Sequence, residues 1–184
     1  MGGDEITIET ERTRLRPYRS DDLDEHVAIL SDWEVTRWLS TNIPFPYSRK
    51  DGEDFIEKEK ANFIEGDILY FSVVEKKTRR HMGAIKLFSS FSDDCEVGYW
   101  LGQDFWGKGY ASEICSALIE WTKKHRTIKR LVAQTAHENV GSRKVLEKLA
   151  FEHAGSPPAN FARSGNSAGC SEFYVLKLMQ GLEE

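Results

Sequence analysis

Little in this chain staples, anchors or repeats. Its 184 residues include three cysteines, Cys95, Cys115 and Cys170. Their number is odd, their spacings are wide and no CxxC pair occurs. That argues against a disulfide framework or a zinc site and leaves reduced, structural thiols. The five histidines, His26, His81, His125, His137 and His153, show no ligand spacing, so no metal is expected. No apolar run approaches the roughly 20 residues of a membrane span. The opening Met1-Gly2-Gly3-Asp4-Glu5 is polar and acidic, unlike a secretory signal, and the stretch after Gly2 lacks the Ser or Thr of a myristoylation site. Excess positive charge is also missing: 25 Lys and Arg stand against 30 Asp and Glu, a net charge of −5. Nucleic-acid binding needs a cationic face, so that class is set aside, aromatic stacking included. There is no internal repeat, low-complexity tract or long linker. The expectation is one domain over 1–184 in the cytoplasm, with no nucleic-acid or membrane partner.

What is present reads as alternating strands and helices. Thr7 to Tyr18 reads as a strand. Ser20 can cap a helix from Asp21 to Leu30, and Ser31-Asp32-Trp33-Glu34 matches a capping box for a second, short one. Pro44 and Pro46 place 42–47 in a loop, after which Ser48 can cap a helix through Ile64, closed by Gly66. Strands are expected over 69–74, 82–88 and 96–101 around a charged turn at 76–80 and a Ser/Asp turn at 92–94. A helix from Gly109 to Lys124 carries Ile114, Cys115, Leu118, Ile119 and Trp121 on one face. A strand over 128–135, a helix over 140–149, a strand starting at Phe151 and a final strand over 173–179 complete the order, with a loop over 155–169. The fold class is α/β in layers (α+β): a single mixed, mostly antiparallel sheet flanked by helices.

Two segments carry chemistry. In Tyr99-Trp100-Leu101-Gly102-Gln103-Asp104-Phe105-Trp106-Gly107-Lys108-Gly109-Tyr110-Ala111, a strand breaks at a Gly-Lys-Gly turn that opens the long helix. Gly107 and Gly109 allow φ > 0 and close approach of a ligand, and the helix start aims unpaired N–H groups and a positive dipole end at the turn. Such a device holds a phosphate or pyrophosphate. It is not a Walker loop, since no Ser or Thr follows the Lys. In the second segment, Asn139 to Phe151, polar Asn139 and Ser142 occupy a first helical turn, where both also suit a cap.

Together these segments resemble the Gcn5-related N-acetyltransferases (GNAT), and more narrowly their ribosomal-protein N-terminal acetyltransferase branch (RimJ/RimL type). The likeness rests on Gly98-Tyr99-Trp100-Leu101, Trp106-Gly107-Lys108-Gly109-Tyr110-Ala111 and Asn139-x-x-Ser142-x-Lys144-Val145-Leu146-Glu147-Lys148 up to Phe151, with an echo in Thr13-Arg14-Leu15-Arg16. It implies the GNAT fold and a single N-acetyltransferase domain that moves the acetyl group of acetyl-coenzyme A straight to a primary amine, on a protein N-terminus or a small molecule. No metal and no acyl-enzyme are implied, and a homodimer is compatible with the branch. The implied cofactor contacts are Trp100, Leu101, Trp106, Gly107, Lys108, Gly109, Tyr110, Ala111, Asn139 and Ser142. Ser142 would stand near the sulfur and protonate the departing thiolate. Arg143, Lys144 and Lys148 are candidates for the 3′-phosphate, or a plain polar helix face.

The amine must be neutral to attack, and a lysine-like amine has a pKa of about 10.4 against 7.7–8.0 for an α-amine. Glu96, on the strand leading to the thioester site, is the candidate base; pairing with a nearby Lys or Arg is its structural alternative. Trp33, Trp38, Phe45 and Tyr47 flank the Pro-rich loop where the resemblance places the acceptor, although core packing would also explain them. Three departures stand out. Trp106 replaces the wider family's Arg or Gln. Ala150 replaces the Gly that ends the second helix, which obliges an Ala to turn left-handed or the helix to end otherwise. Ala159-Asn160-Phe161 has no carboxylate where the branch carries a Glu. The alternative function is a non-catalytic acyl-coenzyme A-binding sensor.

Overall fold

The computed structural model describes residues 6–65, 68–89, 94–158, 163 and 170–178. In chain order the elements are β1 (Ile8–Glu9), β2 (Thr13–Pro17), α1 (Leu23–Leu30), α2 (Trp33–Thr36), α3 (Arg49–Glu65), β3 (Ile68–Glu75), β4 (His81–Ser89), β5 (Asp94–Leu101), α4 (Tyr110–His125), β6 (Arg130–Ala136), α5 (Val140–Lys148), β7 (Glu152–Gly155) and β8 (Ser171–Lys177). One eight-stranded sheet runs β1-β2-β3-β4-β5-β6-β8-β7. Every neighbouring pair is antiparallel except β5–β6, which is parallel and joined by the α4 crossover.

Strand alternation divides the core between the two faces. Cys95, Val97 and Leu101 of β5 point to the side of α4 and α5, among Ile114, Leu118, Leu131 and Leu146. Trp100 points to the other side, with Ala84, under α1 and α3, beside Tyr18, Leu30, Tyr47 and Ile56. The α4 stripe of Ile114, Cys115, Leu118 and Ile119 is buried as its period requires. Helix α4 ends in Lys123, Lys124 and His125, where positive charge suits the dipole.

Three local expectations change. The Thr7–Tyr18 strand is a hairpin, because the Thr10 N–H donates to the Thr13 carbonyl and the Thr10 hydroxyl accepts from the Thr13 N–H. Glu113 of α4 then captures the turn through the Thr10 hydroxyl (2.6 Å) and the Arg12 N–H (2.8 Å). The helix expected from Asp21 opens as a 3₁₀ turn over Ser20–Asp22 that runs into α1, with Asp22 accepting from Arg16 (2.7 and 2.8 Å) and from the Arg19 N–H (2.9 Å) in a buried pair. At α2 the cap is Asp32, which accepts from the Glu34 N–H; Ser31 donates instead to the Tyr47 carbonyl. Ser48 and Asp51 do form the expected reciprocal cap of α3. Gly66, Ser92, Asp93 and the 164–169 loop lie outside the described residues.

Helix α5 ends on Ala150 at φ 62, with the Phe151 N–H donating to the Leu146 carbonyl at 3.0 Å. This is the glycine-type termination made without glycine, so an L residue bears the left-handed strain. Ala150→Gly is therefore expected to raise stability by about 1 kcal/mol in urea titrations. A second stability consequence lies under α1. His26 and His81 are fully buried with rings 5.7 Å apart. Burial lowers His26 to about 3 and His81 to about 4. Below the ordinary histidine value of 6.5 the unfolded chain binds protons that the native chain does not. Stability should thus fall as pH drops from 6.5 towards 4, by about 1.4 kcal/mol per pH unit for each ring. His26→Gln should flatten that slope in denaturation measured at pH 7 and pH 5.

Candidate functional site

The parallel pairing of β5 with β6 lasts only from Asp94↔Arg130 to Glu96↔Val132. Beyond it β5 stays on β4 as far as Leu101↔Gly83, while β6 stays on β8 as far as Ala136↔Ser171. The sheet therefore opens into a cleft of about 1200 Å³ between the two strands. Gly83 helps to bend the β4–β5 half away. It stands beside a register shift in β3–β4, and a Cβ on it would meet the Trp100 carbonyl at 2.2 Å.

At one end of the cleft lies the Gly-Lys-Gly turn. Gly107 and Gly109 take φ 71 and 82, the left-handed conformations that glycine permits. A Cβ on Gly107 would meet no protein atom within 4 Å, so the residue serves the backbone angle and leaves the space above it clear. The first main-chain bond of α4 runs from the Glu113 N–H to the Gly109 carbonyl, and the amides of 107–112 have no acceptor among the described residues. Such a cluster of donors at a dipole end fits a diphosphate.

Arg12 braces this turn, a role the sequence reading missed. Its guanidinium donates to the Lys108 carbonyl (2.9 Å) and to Glu113 (2.7 Å), and lies 4.1 Å over the Tyr110 ring. Tyr110 in turn donates to Glu75 at 2.8 Å. The Lys108 side chain turns back to the Asp104 carbonyl (2.7 Å) and does not line the cleft. Trp106, 40% exposed, donates its indole N–H to the Leu101 carbonyl at 2.8 Å, capping the end of β5 at the cleft wall.

Across the gap, α5 begins at Asn139. Its Oδ1 accepts from the Ser142 N–H at 3.1 Å, so Asn139 caps the helix and keeps its amide donors for the cleft. The Ser142 hydroxyl is 2.9 Å from the Tyr99 hydroxyl. Burial pushes the Tyr99 phenol well above its ordinary pKa, so it stays protonated. Tyr99 stood inside the first motif, but nothing local showed that it reaches an α5 residue 43 positions on. Lys144 and Lys148 line the cleft, whereas Arg143 is turned to the His137 carbonyl and the Tyr174 hydroxyl, each at 3.3 Å.

Glu96 and Trp100 also line the cleft, on the α1–α3 side of β5. Burial raises the Glu96 pKa, and the nearby Lys86 ammonium pulls it part of the way back. Of the four aromatic residues expected around the acceptor, only Trp38 reaches the cleft, with Val35, Leu39 and Ile43. Trp33 and Phe45 pair with each other at the surface, ring centroids 5.0 Å apart. Tyr47 points into the core, 3.1 Å from His26. Arg163 donates to the Thr41 carbonyl at 3.1 Å and to that of Ile43, fastening the chain before the 164–169 segment to this loop. Ala159-Asn160-Phe161 lie outside the described residues.

Comparison with known proteins bears on this arrangement. A family model described as acetyltransferase (GNAT) domain matches residues 12–152. The uncharacterized N-acetyltransferase p20 of Bacillus licheniformis is 32% identical over 151 residues, covering 81% of this chain and 84% of that protein. Among solved structures, Mycobacterium smegmatis RimJ in complex with CoA-disulfide superposes with a TM-score of 0.80 at 17% identity, covering 98% of this chain and 91% of that one. A Salmonella typhimurium acetyl transferase that modifies the N-terminal serine of ribosomal protein L7/L12 gives 0.76 at 15% identity, over 95% and 100%. The structural likeness shows a common fold, and with the family match over most of its length the chain belongs to the GNAT family of N-acetyltransferases.

Proposed function

We propose that this protein transfers the acetyl group of acetyl-coenzyme A directly to a primary amine, a protein N-terminal α-amine or that of a small molecule. One observation carries the reading: an unpaired amide cradle and an unpaired strand edge open into the same cleft. The cradle over 107–112 suits the diphosphate. The edge of β5 beyond Glu96 suits an extended amide-bearing arm lying along it as a substitute strand. Main-chain N–H groups on that edge are fixed donors for the oxygen that becomes negative when the amine attacks, which is worth about 3 kcal/mol for one well-placed donor. Lys144 and Lys148 supply charge for a further phosphate.

Glu96 takes the ammonium proton, directly or through water, and its raised pKa brings it closer to the amine it must deprotonate. The Tyr99–Ser142 pair lies on the opposite side of β5 and offers a proton to the departing thiolate. A purely binding module has no use for such an acid and base in one cleft. Direct transfer is supported by the cysteines: Cys95 and Cys115 are buried in the core against α4, and no cysteine lines the cleft among the described residues. Their free thiols also suit a cytoplasmic setting. The protein N-terminus as acceptor draws support from the Salmonella neighbour's N-terminal serine.

Coenzyme A at about 100 times its Kd should stabilise the native chain by roughly 2.7 kcal/mol, seen as a rise in Tm. Absence of any shift would remove the cofactor reading. Arg12→Ala, which frees the turn, should raise KM for acetyl-coenzyme A by about tenfold while changing kcat much less. In a thiol-release assay, Ser142→Ala and Glu96→Gln should each lower kcat by roughly 10²-fold with coenzyme A affinity retained. Because Glu96 must be ionised to act, kcat/KM should fall as pH drops through its raised pKa. Glu96→Gln should abolish that acid limb, and an unaltered limb would remove Glu96 from the base role.

A further inference from the structure

Among the described residues, the face of the sheet under α1 and α3 carries one cation at the cleft. On β4, Lys86 stands between Tyr70 of β3 and Gly98 of β5. Its stem lies across Gly98, where a Cβ would come within 2.8 Å of the lysine Cε and 3.4 Å of its Cγ. The absent side chain on β5 is what gives the lysine its path, and both residues line the cleft. The ammonium sits 4.2 Å from the Phe88 ring centroid and 6.0 Å from that of Tyr70. Among the described residues it has no hydrogen bond and no ion pair, Glu96 included. Burial lowers its pKa, with Glu96 and then Glu59 opposing the shift.

A half-buried ammonium that feels Glu96 and Glu59 only at a distance, with no carboxylate in ion-pair contact, is costly, and aromatic faces offset only part of that cost. Packing alone does not call for it, since Met would fill much the same stem volume. A lysine on the wall of a binding cleft is compensated when its partner arrives with the ligand. On the same face, the Glu96 carboxylate lies two residues along β5 from Gly98, so the cleft presents an anion and a cation side by side.

We infer that Lys86 reads a carboxylate on the acceptor, so that the amine acetylated belongs to a molecule carrying an acid group close to its nitrogen. Glu96 meets the amine end and Lys86 the acid end. The carboxylate is supplied either by a small amino acid or by an acidic residue next to a peptide N-terminus, and the chemistry read is the same. This rests on the acetyl-transfer reading above.

The test uses the full chain, acetyl-coenzyme A and two matched acceptor pairs in steady-state thiol release. One pair is the peptides Ser-Asp-Ala-Ala and Ser-Asn-Ala-Ala, both amidated at the C-terminus. The other is 4-aminobutyrate and its amide. The wild-type protein should favour the charged member of one pair by about tenfold or more in kcat/KM, and the pair that discriminates identifies the source of the carboxylate. Lys86→Met should bring that ratio close to one with KM for acetyl-coenzyme A unchanged, while Lys86→Arg keeps a preference. The Tm of Lys86→Met should equal or exceed that of the wild type, because the burial cost of an ammonium outside any ion-pair contact has been removed. Acetylation with no preference for the charged member, or a preference that survives in Lys86→Met, overturns the inference. So does a lowered Tm, which makes the lysine structural, or an equal loss for all acceptors with a displaced pH profile, which makes it a tuner of Glu96. Loss of thiol release with every amine overturns the transfer reading itself, and is thereby distinct from release that ignores acceptor charge.

Discussion

Three residues of parallel pairing, followed by separation, govern this molecule. A strand edge within a protein must give its N–H and C=O groups to some partner, and among the described residues β5 beyond Glu96 finds no strand on the side of β6, only the Trp106 indole on its Leu101 carbonyl. Past that point each strand keeps its other ladder: β5 stays with β4 to Leu101↔Gly83, and β6 with β8 to Ala136↔Ser171. On the β4 side, the bare Cα of Gly83 lets the Trp100 carbonyl approach where any side chain would collide.

The same opening sorts the chemistry along its length. At the α4 end, unpaired amides over 107–112 and the helix dipole make a positive floor without any side-chain charge. The cradle is held by a network that crosses the chain: Arg12 ties the Lys108 carbonyl to Glu113, and Glu113 also holds the Thr10–Arg12 turn. In the middle, alternation along β5 puts Glu96, Gly98 and Trp100 on one face and Tyr99 on the other. Glu96 and the Tyr99–Ser142 pair thus reach the cleft from opposite sides of a single strand. A protein with net charge −5 can therefore carry a locally positive end, because backbone groups rather than surplus lysine or arginine supply the potential.

Much of this was readable beforehand where the physics is local. The Gly107 and Gly109 angles are ones that glycine alone takes easily, so the turn was written in the residues themselves, and the apolar stripe of α4 followed from its period. Ala150 was legible in the same way, as a helix stop without its glycine. Where long-range partners competed, local rules lost. Glu113 folded an expected strand into a hairpin, and the Tyr47 carbonyl drew Ser31 away from α2, which Asp32 caps instead.

Taken alone, the order of residues determined the elements, the mixed sheet and the phosphate-type turn, because helical period, capping and left-handed turns are settled within a few residues of chain. Tertiary structure decided which groups share a site. Arg12 meets Lys108 across 96 positions, Tyr99 meets Ser142 across 43, and Lys86 lies across Gly98, its cross-strand neighbour. The length of the β5–β6 pairing is likewise a contest among four strands and one glycine contact, and no single segment encodes where it ends.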